Sequence, residues 1–333
     1  MKAVLMTAPG PPDVLQVQSV PVPTLQSGTD LLIRLMAAGV NPIDAKIRSR
    51  GTFYADSGPS ILGCDGAGIV EATGSAVTQF KVGDEVYFCN GGLGGHPGNY
   101  AEFTTINQQF VAPKPQRLSF TEAAAAPLVL ITAWEALYDR GALEAGRTVL
   151  VQAGAGGVGH VAIQLAKLAG ASVCTTVSSD EKAQFVKSLG ADHVILYPHS
   201  NVVDMVMDWT DGNGVNLSLD TVGNAVLSQC FAATAIYGDV VTLLAPAEGT
   251  DWKIARSRNL RFSFELMLTP LLKNLTQYRL DQANLLRQCS RLIDQGDLNI
   301  VQTQTFPLEA VAEAHRLLGK GRMTGKISLQ IDH

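Results

Sequence analysis

The chain has 333 residues, 46% of them hydrophobic, and a formal net charge of −5. That length and apolar content allow two domains with packed cores and exclude disorder, while an acidic balance with scattered basic residues excludes nucleic acid as the main partner. No apolar run reaches the roughly 18 to 20 residues of a membrane span, and the opening MKAVLMTAPGPPD lacks the charged start and long apolar stretch of a secretion signal, so a cytoplasmic protein without a membrane partner is expected.

Up to about residue 122, short apolar runs broken by Gly and Pro (KAVLM, VLQVQSV, DLLIRLMAAGV, AGIVEA, GDEVYF, YAEFTTI) predict an irregular β-rich unit. Between about 119 and 268 the texture changes. The runs VLVQA, SVCTTV, HVILY, NLSLD, VVTLLA and LRFSFEL alternate with helical stretches such as SDEKAQFVKSLGA, the pattern of a parallel sheet covered on both faces. The remainder predicts an amphipathic helix over 282–294, a strand over 300–305, a helix over 308–318 and a last strand KISLQI, which return to the first unit because the final strands need a sheet to join. The domains are therefore expected at 1–122 with 269–333, and at 123–268.

The most informative segment is VLVQAGAGGVG, residues 149–159, where a valine-rich strand enters a glycine turn and then a helix. Gly154, Gly156 and Gly159 have the GxGxxG spacing of a dinucleotide site. By this reading Gly154 permits the tight turn, Gly156 lets the backbone approach a pyrophosphate, and Gly159 lets the helix pack close to the strand. Gly157 and Val158 open that helix, whose unpaired N–H groups receive the negative charge.

The order of several segments is more specific than the turn alone. AAGVNPIDAKIRSRG (37–51), ILGCDGAGIVEATG (61–74), KVGDEVYF (81–88), APLVLITAWEAL (126–137), LGADHVILY (189–197), LDTVGN (219–224) and GRMTGKISL (321–329) together resemble the medium-chain dehydrogenase/reductase superfamily, and within it the zinc-independent quinone oxidoreductase branch. The resemblance implies an α/β fold, a Rossmann nucleotide-binding domain inserted in a GroES-like β-rich catalytic domain, with the site between the domains. It also implies a homodimer in which the LRFSFEL strands pair.

Zinc members carry a cysteine early, a GHE segment about twenty residues later and a four-cysteine lobe. Here Asn41 and Asp44 occupy the first stretch, Gly63, Cys64 and Asp65 stand where GHE would, and the loop NGGLGGHPGNYAEF has one histidine, His96, and no cysteine. A catalytic zinc needs three protein ligands in tetrahedral geometry, and Cys64, Asp65, Cys89 and His96 do not make such a spacing. No metal is expected. The five cysteines, Cys64, Cys89, Cys174, Cys230 and Cys289, are odd in number and widely spaced, which reads as reduced and mostly buried thiols.

NAD-preferring folds place an acidic residue at the end of the second strand. Here Ser178 and Ser179 stand there, with Lys182 following, so NADPH is favoured; Asp180 and Glu181 weigh against it, and Ser178 with Glu181 also fits a helix capping box. The resemblance adds Asn41, Thr132, Tyr197, Val222, Leu243, Leu244, Ala245, Phe264, Leu266, Arg322 and Lys326 as residues near the coenzyme. Asn41 is expected to orient the nicotinamide or the substrate carbonyl, with a loop cap ahead of Pro42 as its bland role, and Asp44 to pin that loop. Tyr54 is the candidate proton or hydrogen-bond donor, with Phe53 and Tyr100 as an aromatic wall. The reaction expected is metal-free hydride transfer from NADPH to a quinone or an α,β-unsaturated carbonyl. An enoyl-thioester reductase and a non-catalytic dinucleotide-binding protein are the alternatives.

Overall fold

Alternation of buried and half-buried residues sets the long strand Asp30–Val40, which alternates along its first seven residues and is buried on both faces at its end. The computed structural model describes residues 1–54, 58–321 and 323–333. Its strands are β1 (Lys2–Met6), β2 (Leu15–Ser19), β3 (Asp30–Val40), β4 (Ser60–Ile61), β5 (Asp65–Thr73), β6 (Glu85–Cys89), β7 (Phe103–Asn107) and β8 (Ala112–Pro113). A second series follows: β9 (Thr148–Val151), β10 (Ser172–Val177), β11 (His193–Leu196), β12 (Val215–Asp220), β13 (Thr234–Thr242) and β14 (Arg261–Phe264). The last two are β15 (Gln302–Pro307) and β16 (Lys326–Gln330).

The chain folds as two units, Met1–Leu128 with Leu268–Gly296 and Ile300–His333, and Val129–Met267 with Asp297–Asn299. The helix Phe120–Ala124, which straddles the boundary expected after residue 122, packs on β3 and β5 of the first unit.

In the first unit β3 is the hub. Its first half pairs with β7 and its last four residues with β16, both antiparallel, while its other edge pairs with β5. Gly39 belongs here because a Cβ would fall 2.3 Å from the Ala124 carbonyl oxygen and 2.9 Å from Asp65 Cβ; its absence lets Asp65 come in beside the end of β3. The core combines β3, β5 and β16 residues such as Leu31, Ile33, Leu35, Val70, Ile327 and Leu329.

The second unit is one parallel sheet in the order β11-β10-β9-β12-β13-β14. Numbered within the unit this is 3-2-1-4-5-6, the doubly wound arrangement whose ligands bind outside the carboxyl ends of the strands. Among the described residues no helix is long and apolar enough to cross a membrane.

Two expected elements differ in extent, and one helix was not expected. The helix predicted over 282–294 runs Thr276–Gln295, because its polar first turn is held by tertiary contacts: the Arg279 guanidinium donates to Asn90 Oδ1 at 2.7 Å and lies 3.7 Å from the Phe110 ring centroid. The strand predicted over 300–305 lies at Gln302–Pro307, where β16 supplies its partner. A helix inside the β-rich unit, Pro42–Arg50, follows from Asn41 as N-cap, Pro42 in the first turn and Asp44 at the third position, whose carboxylate accepts the Asn41 backbone N–H at 2.8 Å.

Candidate functional site

The glycine turn joins β9 to the helix Gly157–Leu168. Its tightest angle is not at a glycine: Ala153 has φ +52, and Gly154 is not in the left-handed region, which corrects the expected task of Gly154. Gly154 lacks a side chain for a different reason, since a Cβ would stand 2.1 Å from Thr175 Oγ1 on β10. Two threonines template the turn. Thr176 Oγ1 accepts the Ala153 N–H at 3.0 Å, and Thr175 Oγ1 donates to the Val151 carbonyl oxygen at 2.7 Å. A Cβ at Gly159 would meet Ala153 O at 2.4 Å and Gly154 Cα at 2.7 Å, so the helix start presses on the turn itself, where the expectation had put the strand.

Gly156 is different. It is the N-cap of the helix, and its imagined Cβ has one neighbour, Ala153 O at 3.2 Å. No side chain caps this helix and its first turn carries no acidic residue, whereas the helix Asp180–Ser188 is capped by Ser179 and the helix Val202–Trp209 by Asn201. A helix that leaves its first N–H groups to no side chain is ready for an anion, and a bare Gly156 gives that anion room. These residues fit the pyrophosphate of a dinucleotide.

The other expected contacts of this unit stand at the same end of the sheet. Ser178 follows β10, Tyr197 follows β11, Val222 lies just past β12, Leu243, Leu244 and Ala245 follow β13, and Phe264 and Leu266 end β14 and its extension. Tyr197, Val222, Phe264 and Leu266 are 50, 40, 45 and 60% exposed, a fringe of apolar side chains left open at the carboxyl edge where a core residue would be covered. Asp220 braces that fringe: Oδ1 accepts the backbone N–H of Val222 and Gly223 at 2.9 and 2.8 Å, and Oδ2 accepts the Thr242 hydroxyl at 2.9 Å. Ser179, not Ser178, is the cap of the following helix, accepting the Lys182 N–H, so the capping-box alternative for Ser178 does not hold. Lys182 is half-buried, and Thr132 is buried in the helix Pro127–Trp134. Arg322 lies outside the described residues.

In the first unit the sequence segments NPIDAK, GCD and GKISL converge. Asn41, Asp44, Cys64, Asp65, Tyr100, His315 and Lys326 are all buried. Asn41 Nδ2 donates to Asp65 Oδ2 at 2.8 Å, and Lys326 Nζ donates to Asn41 Oδ1. The Tyr100 hydroxyl donates to Asp44 Oδ2 at 3.1 Å and lies 3.2 Å from His315 Nε2. Burial, reinforced by Asp65, raises the Asp44 carboxyl to about 7, and burial raises Asp65 to about 6 against the pull of Lys326. The Lys326 ammonium is pushed down by burial, and His315, for the same reason and because Arg48 is near, falls to about 4.

This placement changes several expectations. Lys326 is not a surface charge; it is held inside the unit on Asn41. Tyr100 is fully buried against Gly63, so it does not form an aromatic wall open to substrate. Phe53 and Tyr54 are exposed, with the Tyr54 ring beside Gly95, at the start of a loop whose residues 55–57 lie outside the described ones. The bridge that Asn41 makes between Asp65 and Lys326 was missed, yet Asp65 is a lone charge in the apolar run ILGCDGAGIV, which signals a buried partner.

The donor set does not suit a zinc ion. Cys64 reaches toward Asp44 Oδ1 at 3.9 Å, and a hydrogen bond with Cys89, burial and the nearby carboxyls hold its thiol well above the usual range. Among the described residues no group of three or more His, Cys, Asp or Glu is arranged to hold a metal ion. His96 is exposed, and all five cysteines are free thiols, four of them buried.

A doubly wound sheet with an open glycine turn, inserted in a β-rich unit, is the architecture of a dinucleotide-binding protein. Residues 27–116 match the alcohol dehydrogenase GroES-like domain and residues 189–329 match the family described as zinc-binding dehydrogenase. The chain is 33% identical to the quinone oxidoreductase of Pseudomonas aeruginosa over 98% of its own length and 99% of the relative. It is 42% identical, over 62% of this chain and 54% of the relative, to the chloroplastic NADPH-dependent alkenal/one oxidoreductase of Arabidopsis thaliana. A crystal structure of an alcohol dehydrogenase superfamily protein from Novosphingobium aromaticivorans superposes with a TM-score of 0.92 at 34% identity, covering all of both chains. The chain belongs to the medium-chain dehydrogenase/reductase superfamily, in its quinone oxidoreductase branch.

Proposed function

We propose that this oxidoreductase uses NADPH, works without a metal, and transfers hydride to a quinone or an α,β-unsaturated carbonyl. The observation that carries the coenzyme assignment is the uncapped helix start at Gly156, set in the exposed apolar fringe of the sheet's carboxyl edge. Gly154 to Gly159 would hold the pyrophosphate on backbone N–H groups. Ser178, with no acidic side chain at the end of β10, leaves room for a 2′-phosphate, and Lys182 supplies positive charge nearby. Tyr197, Val222, Leu243, Leu244, Phe264 and Leu266 give the flat rings apolar surface. When bound, the coenzyme supplies the hydride. Asn41 and Tyr54 are the groups assigned to the acceptor's carbonyl oxygen, where a donor stabilises the charge that develops on hydride arrival. The relatives named for quinones and alkenals support the acceptor class. The edge strand β14 is assigned to pairing with its copy in a homodimer, which would cover an otherwise open edge.

The test is a titration with NADPH and NADH, followed by an acceptor panel of quinones, alkenals and long acyl thioesters with and without chelator. Tighter NADPH binding and chelator-insensitive turnover of quinones or alkenals are expected. Turnover confined to acyl thioesters, or tight binding with no turnover, would overturn the acceptor assignment, and loss of activity with chelator would overturn metal independence.

A further inference from the structure

The Asn41 side chain sits between two buried groups of opposite hydrogen-bonding sense. An ammonium has donors and no acceptor; a carboxylate has acceptors and no donor. Lys326 therefore requires the atom facing it to be the amide oxygen, and Asp65 requires the NH2. An asparagine between two hydroxyls could take either orientation. Here a half-turn of the amide would set donor against donor and acceptor against acceptor among fully buried groups. The backbone is fixed as well, because the Asn41 N–H donates to Asp44.

The two bonds leave the amide with one N–H that has no acceptor among the described residues. They also polarise it, since a cation at the oxygen and an anion at the nitrogen both favour the charge-separated resonance form, which makes the remaining N–H a stronger donor. Val40, whose carbonyl oxygen lies 3.5 Å from Lys326 Nζ, ends the β3 strand that pairs with β16, so the same sheet register that seats Ile327 opposite Val40 places Lys326 on the asparagine.

We propose that Lys326, with Asp65 as its counterpart, is a positioning residue that sets the orientation and donor strength of the Asn41 amide for hydride transfer. This rests on the reading that Asn41 meets the coenzyme or the acceptor carbonyl. Lys326 acts through Asn41 alone, so its effect disappears when Asn41 is absent.

A double-mutant cycle of K326M and N41A measures this, with kcat, acceptor KM and NADPH affinity taken separately. K326M is expected to lower kcat by roughly ten- to a hundredfold, the worth of a hydrogen bond to a charged group, and to change kcat by less than about twofold when introduced into N41A. Unchanged kcat in K326M, or losses that multiply in the double variant, would overturn the proposal. If K326M does not fold, the cycle of D65N with N41A decides by the same criteria. The Asn41 side-chain amide is also followed by NMR in selectively labelled protein without substrate, where K326M is expected to move its resonances. Unmoved resonances would refute this inference with the reaction intact, while absence of turnover on every acceptor in the wild type would refute the reaction and leave the amide measurement standing.

Discussion

Replacing Gly156 and Gly159 one at a time by alanine separates binding from folding. At Gly156 the backbone angles, φ −78 and ψ 178, suit alanine, and the added methyl would have one neighbour at 3.2 Å. The folding cost is that of alanine at an N-cap, about 1 kcal/mol. The same methyl projects where the phosphates are assigned to approach, and losing one charge-assisted hydrogen bond of about 1.5–3 kcal/mol weakens binding roughly ten- to a hundredfold. At Gly159 the methyl would sit 2.4 Å from a carbonyl oxygen and 2.7 Å from an α-carbon, both in the turn's own backbone, which cannot rotate aside. Overpacking of this kind costs about 1–3 kcal/mol, which lowers Tm by roughly 2–12 °C for a unit of this size. Thermal unfolding without coenzyme and calorimetric titration with NADPH read the two effects independently. G156A should keep its Tm within a few degrees and lose coenzyme affinity; G156A that binds NADPH like the wild type would refute the phosphate assignment.

Four further outcomes are expected. S178D places a carboxylate at the end of β10, so NADPH affinity should fall about tenfold or more relative to NADH; an unchanged ratio in a binding titration would move the 2′-phosphate elsewhere. Y54F should lower kcat by about ten- to a hundredfold with NADPH affinity unaltered if its hydroxyl serves the acceptor, and wild-type kcat would remove Tyr54 from the mechanism. Asp44 rests at about 7, above the ordinary 3.8, so its contribution to stability is complete below pH 3.8 and is lost as pH rises through 7; His315, lowered from 6.5 to about 4, has the opposite sign, its contribution present above 6.5 and lost as pH falls through 4. D44N should therefore flatten the decline of Tm between about pH 4 and 7, and a limb as steep as the wild type's would show that another group causes it. Sedimentation at micromolar concentration should give a dimer, and a monomer would remove the role assigned to β14.

Legibility in the sequence followed the range of the interactions. The glycine spacing, the uncapped helix start and the strand before it depend on neighbours a few residues away, and VLVQAGAGGVG already contains them, whereas Thr175 and Thr176, which template the turn, lie on β10. The fringe of Tyr197, Val222 and Leu266 was reached only through the family resemblance, because apolar residues at strand ends look like core until the sheet's order is known. Ala153 and Ser179 show the limit of one residue's precision: the left-handed position and the helix cap each fall beside the residue the pattern suggested. The Asn41, Asp65 and Lys326 network was not legible, since Lys326 and Asn41 are 285 positions apart and are joined only by the register of β16 on β3.

That register bears on how the polypeptide is made. The sheet unit is nearly continuous in the chain, so it is available to fold as it leaves the ribosome, whereas β3 must wait for β16, and Asn41 and Asp65 for their ammonium, until the whole sheet unit between them has been synthesised. During that interval β7 covers only the first half of that edge of β3, and the backbone groups of Ala37 to Val40 stay open to pairing with another chain.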